Sequence, residues 1–288
     1  MVRHDGRFVW YELMTTDVAA AKTFYVKLLG WNVRDASTRE VPYMLFTAAE
    51  LAVGGLMELP QQARQMGATP RWMGYVGVHD AELTAARIRR LGGAVLVEPT
   101  MSNIGRISVV ADPQNAIFGL AEGLNFGQEQ GGDILQAGRV GWHELLASDQ
   151  SKAFAFYREL FGWDKADAEL GPSETYQLFS AEGQTIGGIF NKRPIEAVPY
   201  WLYYFNVDDV DAAAARVKSG GGQVFEGPFE VPGASWIVRC IDPQGAIFAI
   251  QGKRSRDAIA QDPAAEVGWS TEWSGISSRG KLVNRPKG

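Results

Sequence analysis

The sequence repeats itself at a separation of about half its length. Residues 8–17 read FVWYELMTTD and residues 140–149 read VGWHELLASD, so that Trp10 and Trp142 fall at equivalent positions. Self-similarity over such a distance indicates a duplicated structural unit. A chain of 288 residues has room for two units of ordinary domain size.

The similarity continues along both copies with small changes in offset. The motifs that recur in the same order are Phe24-Tyr25 with Phe156-Tyr157, Gly30-Trp31 with Gly162-Trp163, Gly54-Gly55 with Gly187-Gly188, and Asp112-Pro113-Gln114 with Asp242-Pro243-Gln244. The sequence therefore predicts two related domains, at residues 7–123 and 138–252. The polar, glycine-rich residues 124–137 between them are typical of a linker, and residues 253–288 form a tail.

Each copy contains a second, fainter repeat of one strand, one helix and three short strands. In the first copy this pattern covers residues 8–59 and again 72–121. The first helix has apolar residues at helical spacing, the capping candidate Asp17 at its start and Gly30 at its end. The pattern predicts an α+β fold in which each domain is a pair of βαβββ units.

The composition favours a small molecule as the partner. With 33 acidic and 28 basic residues, the net charge of −5 gives no basic surface for nucleic acid. No apolar run approaches the roughly 18 residues of a membrane-spanning helix, and the first residues do not resemble a signal peptide. We therefore expect a cytoplasmic protein. The single cysteine, Cys240, lies in an apolar strand and is typical of an inert core thiol.

The repeated motifs resemble those of the vicinal oxygen chelate superfamily, which includes glyoxalase I, bleomycin-resistance proteins and extradiol dioxygenases. They are Trp-x-Glu-Leu-x-x-x-Asp at the start of each copy, Gly-Trp after the first helix and Asp-Pro-Gln-x-Ala-Ile-Phe near the end. The tandem arrangement is most similar to a bacterial glyoxalase-like branch. The resemblance implies a sheet curled around a cleft, usually with a divalent metal held by four His, Gln or Glu side chains.

The metal ligands that the resemblance implies are missing from both copies. The first ligand position falls at Trp10 and Trp142, and the last at Gly119 and Ala249. The remaining positions are Gly55 or Leu56, Met73, Gly188 or Ile189, and Leu202. None of these side chains is a ligand that divalent metals favour. We therefore expect no metal and no other cofactor.

The three histidines do not replace these ligands. His4 lies in the N-terminal tail, and His79 begins the turn into the second helix. His143 stands next to Glu144 on a strand, where successive side chains point to opposite faces. His143 is therefore expected to point away from a site built on Glu144.

Glu12 and Glu144 are the candidate catalytic residues, because each lies two positions after an empty ligand position and shares its face of the strand. By resemblance that face lines the cleft. A desolvated, unpaired carboxyl beside indole would have a raised pKa, which suits a general acid or base. The alternative, which we favour, is a structural role in which each Glu accepts hydrogen bonds and holds the sheet together.

Six aromatic residues are the candidate ligand-binding residues, since their rings can stack on a planar ligand or fill a core. They are Trp10, Trp142, Trp72, Trp201, Tyr43 and Tyr176. Arg106 in the first copy aligns with the Ala-Ser-Trp stretch at residues 234–236 of the second. The two clefts therefore need not be equivalent.

The leading hypothesis is metal-independent binding of a small organic molecule, for sequestration or carriage, by a monomer or homodimer. One alternative is an enzyme of the same superfamily, a lyase, isomerase or dioxygenase-type enzyme, in which Glu12 or Glu144 moves a proton. A second alternative is a protein-interaction module, with the tail that carries Trp269 and Trp273 as one contact surface.

Overall fold

A computed structural model of the chain describes residues 6–124, 135–166, 176–232 and 235–254. Most of the predicted linker, the tail with Trp269 and Trp273, and His4 lie outside these ranges. The strands are β1 (Phe8–Thr15), β2 (Asn32–Asp35), β3 (Met44–Ala48), β4 (Leu51–Glu58), β5 (Arg71–Gly77), β6 (Ala94–Ser102), β7 (Gly105–Ala111), β8 (Ile117–Glu122), β9 (Val140–Ala147), β10 (Asp164–Lys165), β11 (Tyr176–Ala181), β12 (Gln184–Asn191), β13 (Tyr200–Asp209), β14 (Gln223–Val231), β15 (Ser235–Ile241) and β16 (Ile247–Lys253). The helices are α1 (Val18–Leu29), α2 (Gln61–Gln65), α3 (Ala81–Arg90), α4 (Gln150–Phe161) and α5 (Val210–Ser219).

Each domain is one eight-stranded mixed sheet built from two βαβββ units, which confirms the predicted α+β fold. The strand order is β2-β3-β4-β1-β5-β8-β7-β6 in the first domain and β10-β11-β12-β9-β13-β16-β15-β14 in the second. Within a unit the first and last strands are parallel, as in β1 with β4 and β5 with β8. The two units join where β1 runs antiparallel to β5. The helix of each unit supplies the crossover that a parallel pair requires.

The main helices begin and end at capped positions. The Asp17 carboxylate accepts a hydrogen bond from the Ala20 backbone N–H at 2.9 Å at the start of α1, and Asp149 does the same for α4. Gly30 and Gly162 follow the two helices with φ of 69° and 72°, a left-handed conformation that glycine adopts at little cost. In the described ranges no helix is both long and apolar enough to cross a bilayer.

The first sheet curls until its two edges meet. The Asn103 side-chain amide, in the turn between β6 and β7, donates a hydrogen bond to the Ala36 carbonyl at 3.2 Å, just after β2. Because β2 and β6 are opposite edges of the sheet, this contact encloses a concave face. That face is filled by an apolar cluster of Trp10, Tyr43, Leu45, Met73, Tyr75, Ile104, Ala121 and Leu124.

The two domains pack against each other through their opposite, helix-bearing faces, and the contacts are reciprocal. The Tyr25 hydroxyl of α1 donates to Asp242 at 3.1 Å, and the Tyr157 hydroxyl of α4 donates to Asp112 at 3.2 Å. A second reciprocal pair joins indole N–H groups to main-chain carbonyls, Trp31 to Gly138 and Trp163 to Gly6. The repeat in the sequence thus corresponds to an approximate twofold relation between the domains.

Candidate functional site

The concave face of the first domain carries a buried carboxylate capped by two phenols. Alternation along β1 places Trp10 and Glu12 on this face. The Tyr43 hydroxyl accepts the Trp10 indole N–H at 3.1 Å and donates to Glu12 Oε2 at 2.7 Å. The Tyr75 hydroxyl donates to Glu12 Oε1 at 2.8 Å. Trp10 is 1% and Glu12 5% exposed, so this group is closed to solvent.

The second domain repeats the arrangement. The Tyr176 hydroxyl accepts the Trp142 indole N–H at 3.0 Å and donates to Glu144 Oε1 at 3.0 Å, and the Tyr204 hydroxyl donates to Glu144 Oε2 at 2.6 Å. The structure therefore brings together Trp10 and Glu12 on β1 with Tyr43, just before β3, and separately the predicted residues on β9 and β11. These strands belong to different sheets, so the glutamates lie in two separate sites.

Sequence reasoning missed the second phenol of each site. Tyr75 and Tyr204 each stand three residues after an aligned tryptophan, Trp72 and Trp201, so the recurrence was visible in the repeat. Alternation along β5 and β13 then assigns the tyrosine and the tryptophan of each pair to opposite faces. This signal could have assigned Tyr75 and Tyr204 to the face opposite Trp72 and Trp201, whereas their contact with the glutamates depends on the strand register.

Among the residues that the structure describes, a cation lies beside the glutamate of the second site but not beside that of the first. Arg239 on β15 donates to Glu144 Oε2 at 2.6 Å, to the Tyr204 hydroxyl at 3.2 Å and to Glu226 Oε2 at 2.8 Å. The strand register places Val109 at the equivalent position of the first domain. Glu144 is therefore one member of a buried ion pair, which the sequence comparison did not predict. Within the described residues Glu12 has no ion-pair partner.

Within the described residues no cation stabilises the charged form of Glu12, so the pKa values of the first site depend on burial and on the two phenols. Burial raises the pKa of the Glu12 carboxyl above its ordinary value, although the hydrogen bonds from Tyr43 and Tyr75 act in the opposite direction. Burial and the neighbouring carboxylate also raise the pKa of both phenols well above the usual value. The phenols therefore remain protonated donors, and Glu12 is the group of this site that can gain or lose a proton.

The two concave faces differ in their exposure to solvent. In the second domain the side chains of Trp142, Tyr176, Phe190 and Tyr200 are partly exposed. The Phe190 ring lies 5.8 Å from the Tyr176 ring and 5.5 Å from the Arg239 guanidinium carbon. The first-domain counterparts Trp10 and Tyr43 are buried. Trp142 and Tyr176 are therefore less completely buried than their first-domain counterparts.

The residues present do not fit the divalent metal that the family resemblance implies. A Cβ at Gly55 would lie 1.9 Å from the Tyr43 hydroxyl, and a Cβ at Gly119 would lie 2.1 Å from the Tyr75 ring. Tyrosine rings thus fill the space that ligand side chains would need at these positions. Within the described ranges no three His, Cys, Asp or Glu residues cluster closely enough to hold a metal ion.

Trp72 and Trp201 lie away from both concave faces. Their indole N–H groups donate to the hydroxyls of Tyr25 at 2.9 Å and Tyr157 at 3.1 Å. Both side chains are buried in the core that the two domains share. The structure therefore does not bring these two predicted ligand-binding residues to the other four.

His143 also lies in the shared core, on the opposite face of β9 from Glu144. Its Nε2 is 2.6 Å from the Tyr11 hydroxyl, and its Nδ1 is 2.7 Å from the Ile186 carbonyl. Because a carbonyl only accepts, Nδ1 carries the proton and Nε2 accepts from Tyr11. Burial lowers the pKa of His143 to about 4, so the ring is neutral at neutral pH. The ring stacks on Phe8 with centroids 4.3 Å apart.

Both domains match one known family. Residues 7–118 and 139–250 each match the Glyoxalase/Bleomycin resistance protein/Dioxygenase superfamily. The chain belongs to this superfamily. The repeat and the paired βαβββ units are therefore those of a tandem superfamily member, as the motifs predicted.

Relatives within the superfamily span most of the chain. A Mycobacterium tuberculosis protein named provisionally as a glyoxylase, CFP32, is 32% identical over 249 residues, which cover 84% of this chain and 92% of the relative. The anthracycline biosynthesis protein DauV of Streptomyces sp. (strain C5) is 29% identical over 274 residues, which cover 90% of this chain and 98% of the relative.

Solved structures of superfamily members share the fold. The Mn(II)-bound glyoxalase from Novosphingobium aromaticivorans matches with a TM-score of 0.60 at 14% identity, over 88% of this chain and 84% of that one. The 2,3-dioxygenase LapB from Pseudomonas sp. KL28 matches with a TM-score of 0.61 at 13% identity, over 88% of this chain and 94% of that one. At this level of identity the similarity concerns the fold alone.

Proposed function

We propose that this superfamily member binds a small planar organic molecule, without a metal, on the concave face of its second domain. The observation that carries the proposal is the set of partly exposed rings beside the buried Glu144–Arg239 pair. Aromatic walls with a few fixed polar groups are typical of small-molecule sites. Sequestration or carriage of the ligand requires nothing beyond this arrangement.

The side chains favour an aromatic ligand that carries a carbonyl or phenolic oxygen. Phe190 and Trp142 are partly exposed aromatic side chains, and aromatic side chains pack favourably against other aromatic rings. Each terminal nitrogen of Arg239 has two N–H groups, so a ligand oxygen can accept one while Glu144 and Glu226 keep the others. The relative DauV is named for anthracycline biosynthesis, and anthracyclines contain a fused planar ring system with such oxygens. This similarity supports the ligand class.

The test is a titration with 1,4-dihydroxyanthraquinone after chelation of divalent metals. Phe190→Ala removes a ring from the second-domain face, and we expect the Kd to rise about tenfold, which corresponds to about 1.4 kcal/mol of lost stacking and burial. Met57→Ala changes the equivalent residue of the first domain and is expected to leave the Kd unchanged. Equal effects of the two variants, or binding that requires added metal, would refute the proposal.

A second candidate is an enzyme that moves a proton next to a carbonyl, as a lyase or isomerase does. The raised pKa of Glu12 favours this function, because a general acid or base works best with a pKa near the working pH. Its test is deuterium exchange at the carbon-bound protons of hydroxyacetone in D2O, followed by NMR. Loss of the exchange by about a hundredfold in Glu12→Gln, but not in Glu144→Gln, would support enzymatic proton transfer.

We also propose a cytoplasmic location, a monomeric or homodimeric state and no nucleic-acid partner. The net charge of −5 and the internal pairing of the two domains support these proposals. We further propose that the two domains comprise residues 7–123 and 138–252, with a linker at residues 124–137.

A further inference from the structure

We propose that residues 192–199, the loop between β12 and β13, form a lid at one end of the second-domain concave face. The ion pair between Arg193 and Glu226 is the latch that holds this lid closed. Opening of the lid sets the rates at which a ligand enters and leaves. This control of ligand exchange rests on the proposed function, whereas the latch itself does not.

The two ends of the loop carry aromatic rings of the concave face. Phe190 is the last residue but one of β12, and Tyr200 is the first residue of β13. Both side chains are partly exposed, and both pack against the apolar cluster that contains Tyr204. Displacement of the loop therefore changes the exposure of both rings.

The loop is braced by bonds within itself. The Glu196 backbone N–H donates to the Arg193 carbonyl at 3.0 Å, and this turn has Pro194 at its second position, where the fixed φ of proline is favourable. The Glu196 carboxylate accepts the Arg193 backbone N–H at 2.7 Å and the Tyr200 hydroxyl at 3.2 Å. None of these three bonds reaches the other side of the face, so all can persist when the lid opens.

The Arg193 side chain ties the loop to the opposite half of the sheet. Its guanidinium donates to Glu226 on β14. Strands β12 and β14 lie in opposite halves of the strand order. Glu226 also accepts from Arg239 at 2.8 Å, and Arg239 in turn donates to Glu144 at 2.6 Å. The latch therefore reaches across the concave face and joins the loop to the buried ion pair.

The first domain shows that the fold does not require charges at these strand positions. The strand register places Val97 and Val109 at the positions of Glu226 and Arg239. Well-packed apolar residues generally stabilise a protein at least as well as a buried ion pair at the same positions. Packing of the sheet therefore does not explain Glu226, whereas a role in holding Arg193 does.

The charged side chains become more exposed from the buried glutamate towards the lid. The exposed fraction is 1% for Glu144, 11% for Arg239, 18% for Glu226 and 38% for Arg193. Ion pairs with exposed partners are weak and are screened by salt, whereas buried pairs are screened much less. The contact of Arg193 with Glu226 is therefore the one that breaks most easily. When it breaks, Glu226 still has Arg239 as its partner, so opening leaves no unpaired carboxylate.

The first test needs no ligand and uses the full chain with Arg193→Gln. The matched control is Arg64→Gln in the corresponding loop of the first domain, where Arg64 lies 3.8 Å from Glu58. Hydroxyl-radical footprinting compares the labelling of Phe190 and Tyr200. Loss of a partly exposed ion pair shifts an equilibrium about two- to fivefold, so we expect increased labelling in Arg193→Gln and none in the control.

Salt gives an independent check of the same contact. The Debye length falls to about 3 Å at 1 M salt, so 1 M KCl should increase the labelling of both rings in the wild type. Arg193→Gln should show no further increase, because its latch is already absent. Arg193→Lys keeps the charge and should retain most of the protection.

The second test is stopped-flow binding of 1,4-dihydroxyanthraquinone, which separates a latch from a ligand contact. The latch stabilises the closed lid with and without ligand. Its loss in Arg193→Gln should therefore raise the association and dissociation rate constants by the same factor, about two- to fivefold, and leave the Kd unchanged. A side chain that contacts the ligand would instead change mainly the dissociation rate constant and the Kd.

The outcomes separate the latch from ligand binding. Unchanged labelling of Phe190 and Tyr200 in Arg193→Gln would overturn the latch, even if the anthraquinone binds. Increased labelling without any anthraquinone binding would support the latch and count against the proposed function. A raised Kd with an unchanged association rate constant would make Arg193 a ligand contact and overturn its role as a latch.

Discussion

At the scale of single residues, two glutamates at equivalent positions have different electrostatic partners. Glu12 has two phenol donors, whereas Glu144 has two phenol donors and the Arg239 guanidinium. A buried carboxylate without a cation loses solvation with no compensating charge, while an ion pair recovers part of that loss. The two sites therefore differ in chemistry although their geometry is repeated.

The first prediction concerns the pH dependence that Glu12 confers. Because its pKa is raised above 4.5 in the folded state, the folded protein takes up a proton before the unfolded chain does as the pH falls. Glu12 therefore destabilises the protein at neutral pH and ceases to do so as the pH approaches 4.5. Wild type should gain stability relative to Glu12→Gln between pH 7 and pH 4.5, by about 1.4 kcal/mol for each unit of pKa shift.

Urea unfolding of both proteins at the two pH values measures this difference. Glu144→Gln is not a suitable control, because it also breaks the ion pair with Arg239. Arg39→Gln, on an exposed loop, changes a charge without changing the site. A constant difference in unfolding free energy between wild type and Glu12→Gln across the pH range would show that folding does not shift the pKa of the Glu12 carboxyl.

At the scale of elements, β4 and β12 each use a glycine to admit a tyrosine ring. A Cβ at Gly55 would overlap Tyr43, and a Cβ at Gly188 would lie 2.2 Å from the Tyr176 ring. The adjacent Gly54 leaves only 3.0 Å between an added Cβ and the Tyr11 carbonyl. The repeated Gly-Gly pair therefore combines one glycine that accommodates a tyrosine ring with one that lies close to the neighbouring backbone.

The second prediction follows from this packing. Gly55→Ala forces the Tyr43 ring away from Glu12, and overpacking of this kind costs about 1–3 kcal/mol of unfolding free energy. Tyr43→Leu removes the ring, so the double variant should lose less than the sum of the two single losses. Chemical denaturation of the four proteins measures the coupling. Strict additivity would mean that the ring does not occupy the space above Gly55.

How far the sequence predicts the structure also depends on the element. Strand alternation and helix caps are local, so β1, α1 and their repeats in the second domain could be read directly from apolar spacing and from Asp17 and Gly30. The Glu144–Arg239 pair joins strands whose residues are 95 positions apart, and in the first copy a valine stands in place of Arg239. Neither spacing nor the repeat contains that contact. The curl of the sheet brings the Glu144 and Arg239 side chains into contact.

At the scale of the whole molecule, the shared core between the domains contains the neutral His143 hydrogen-bonded to Tyr11. In the unfolded chain the imidazole has its ordinary pKa of 6.5, and in the folded protein burial lowers the pKa to about 4. As the pH falls from 6.5 to 4, the unfolded chain therefore takes up a proton that the folded protein does not. Stability that is present above pH 6.5 is lost over this window.

The third prediction is the size of that loss. Wild type should lose about 3 kcal/mol of unfolding free energy relative to His143→Gln between pH 7 and pH 4, since each pKa unit corresponds to about 1.4 kcal/mol. Glutamine can still accept the Tyr11 hydroxyl but does not titrate. His79→Gln, at an exposed histidine, should follow the wild-type curve. A wild-type curve parallel to that of His143→Gln would contradict the assignment of a neutral buried ring.

The reciprocal bonds of Tyr25 to Asp242 and Tyr157 to Asp112 lie on a single polypeptide. Each half therefore meets its partner at an effective concentration fixed by the connecting chain, and dilution does not separate them. None of these bonds involves a concave face. The two concave faces can therefore carry different residues, such as Val109 in one and Arg239 in the other, without weakening the contacts that hold the halves together.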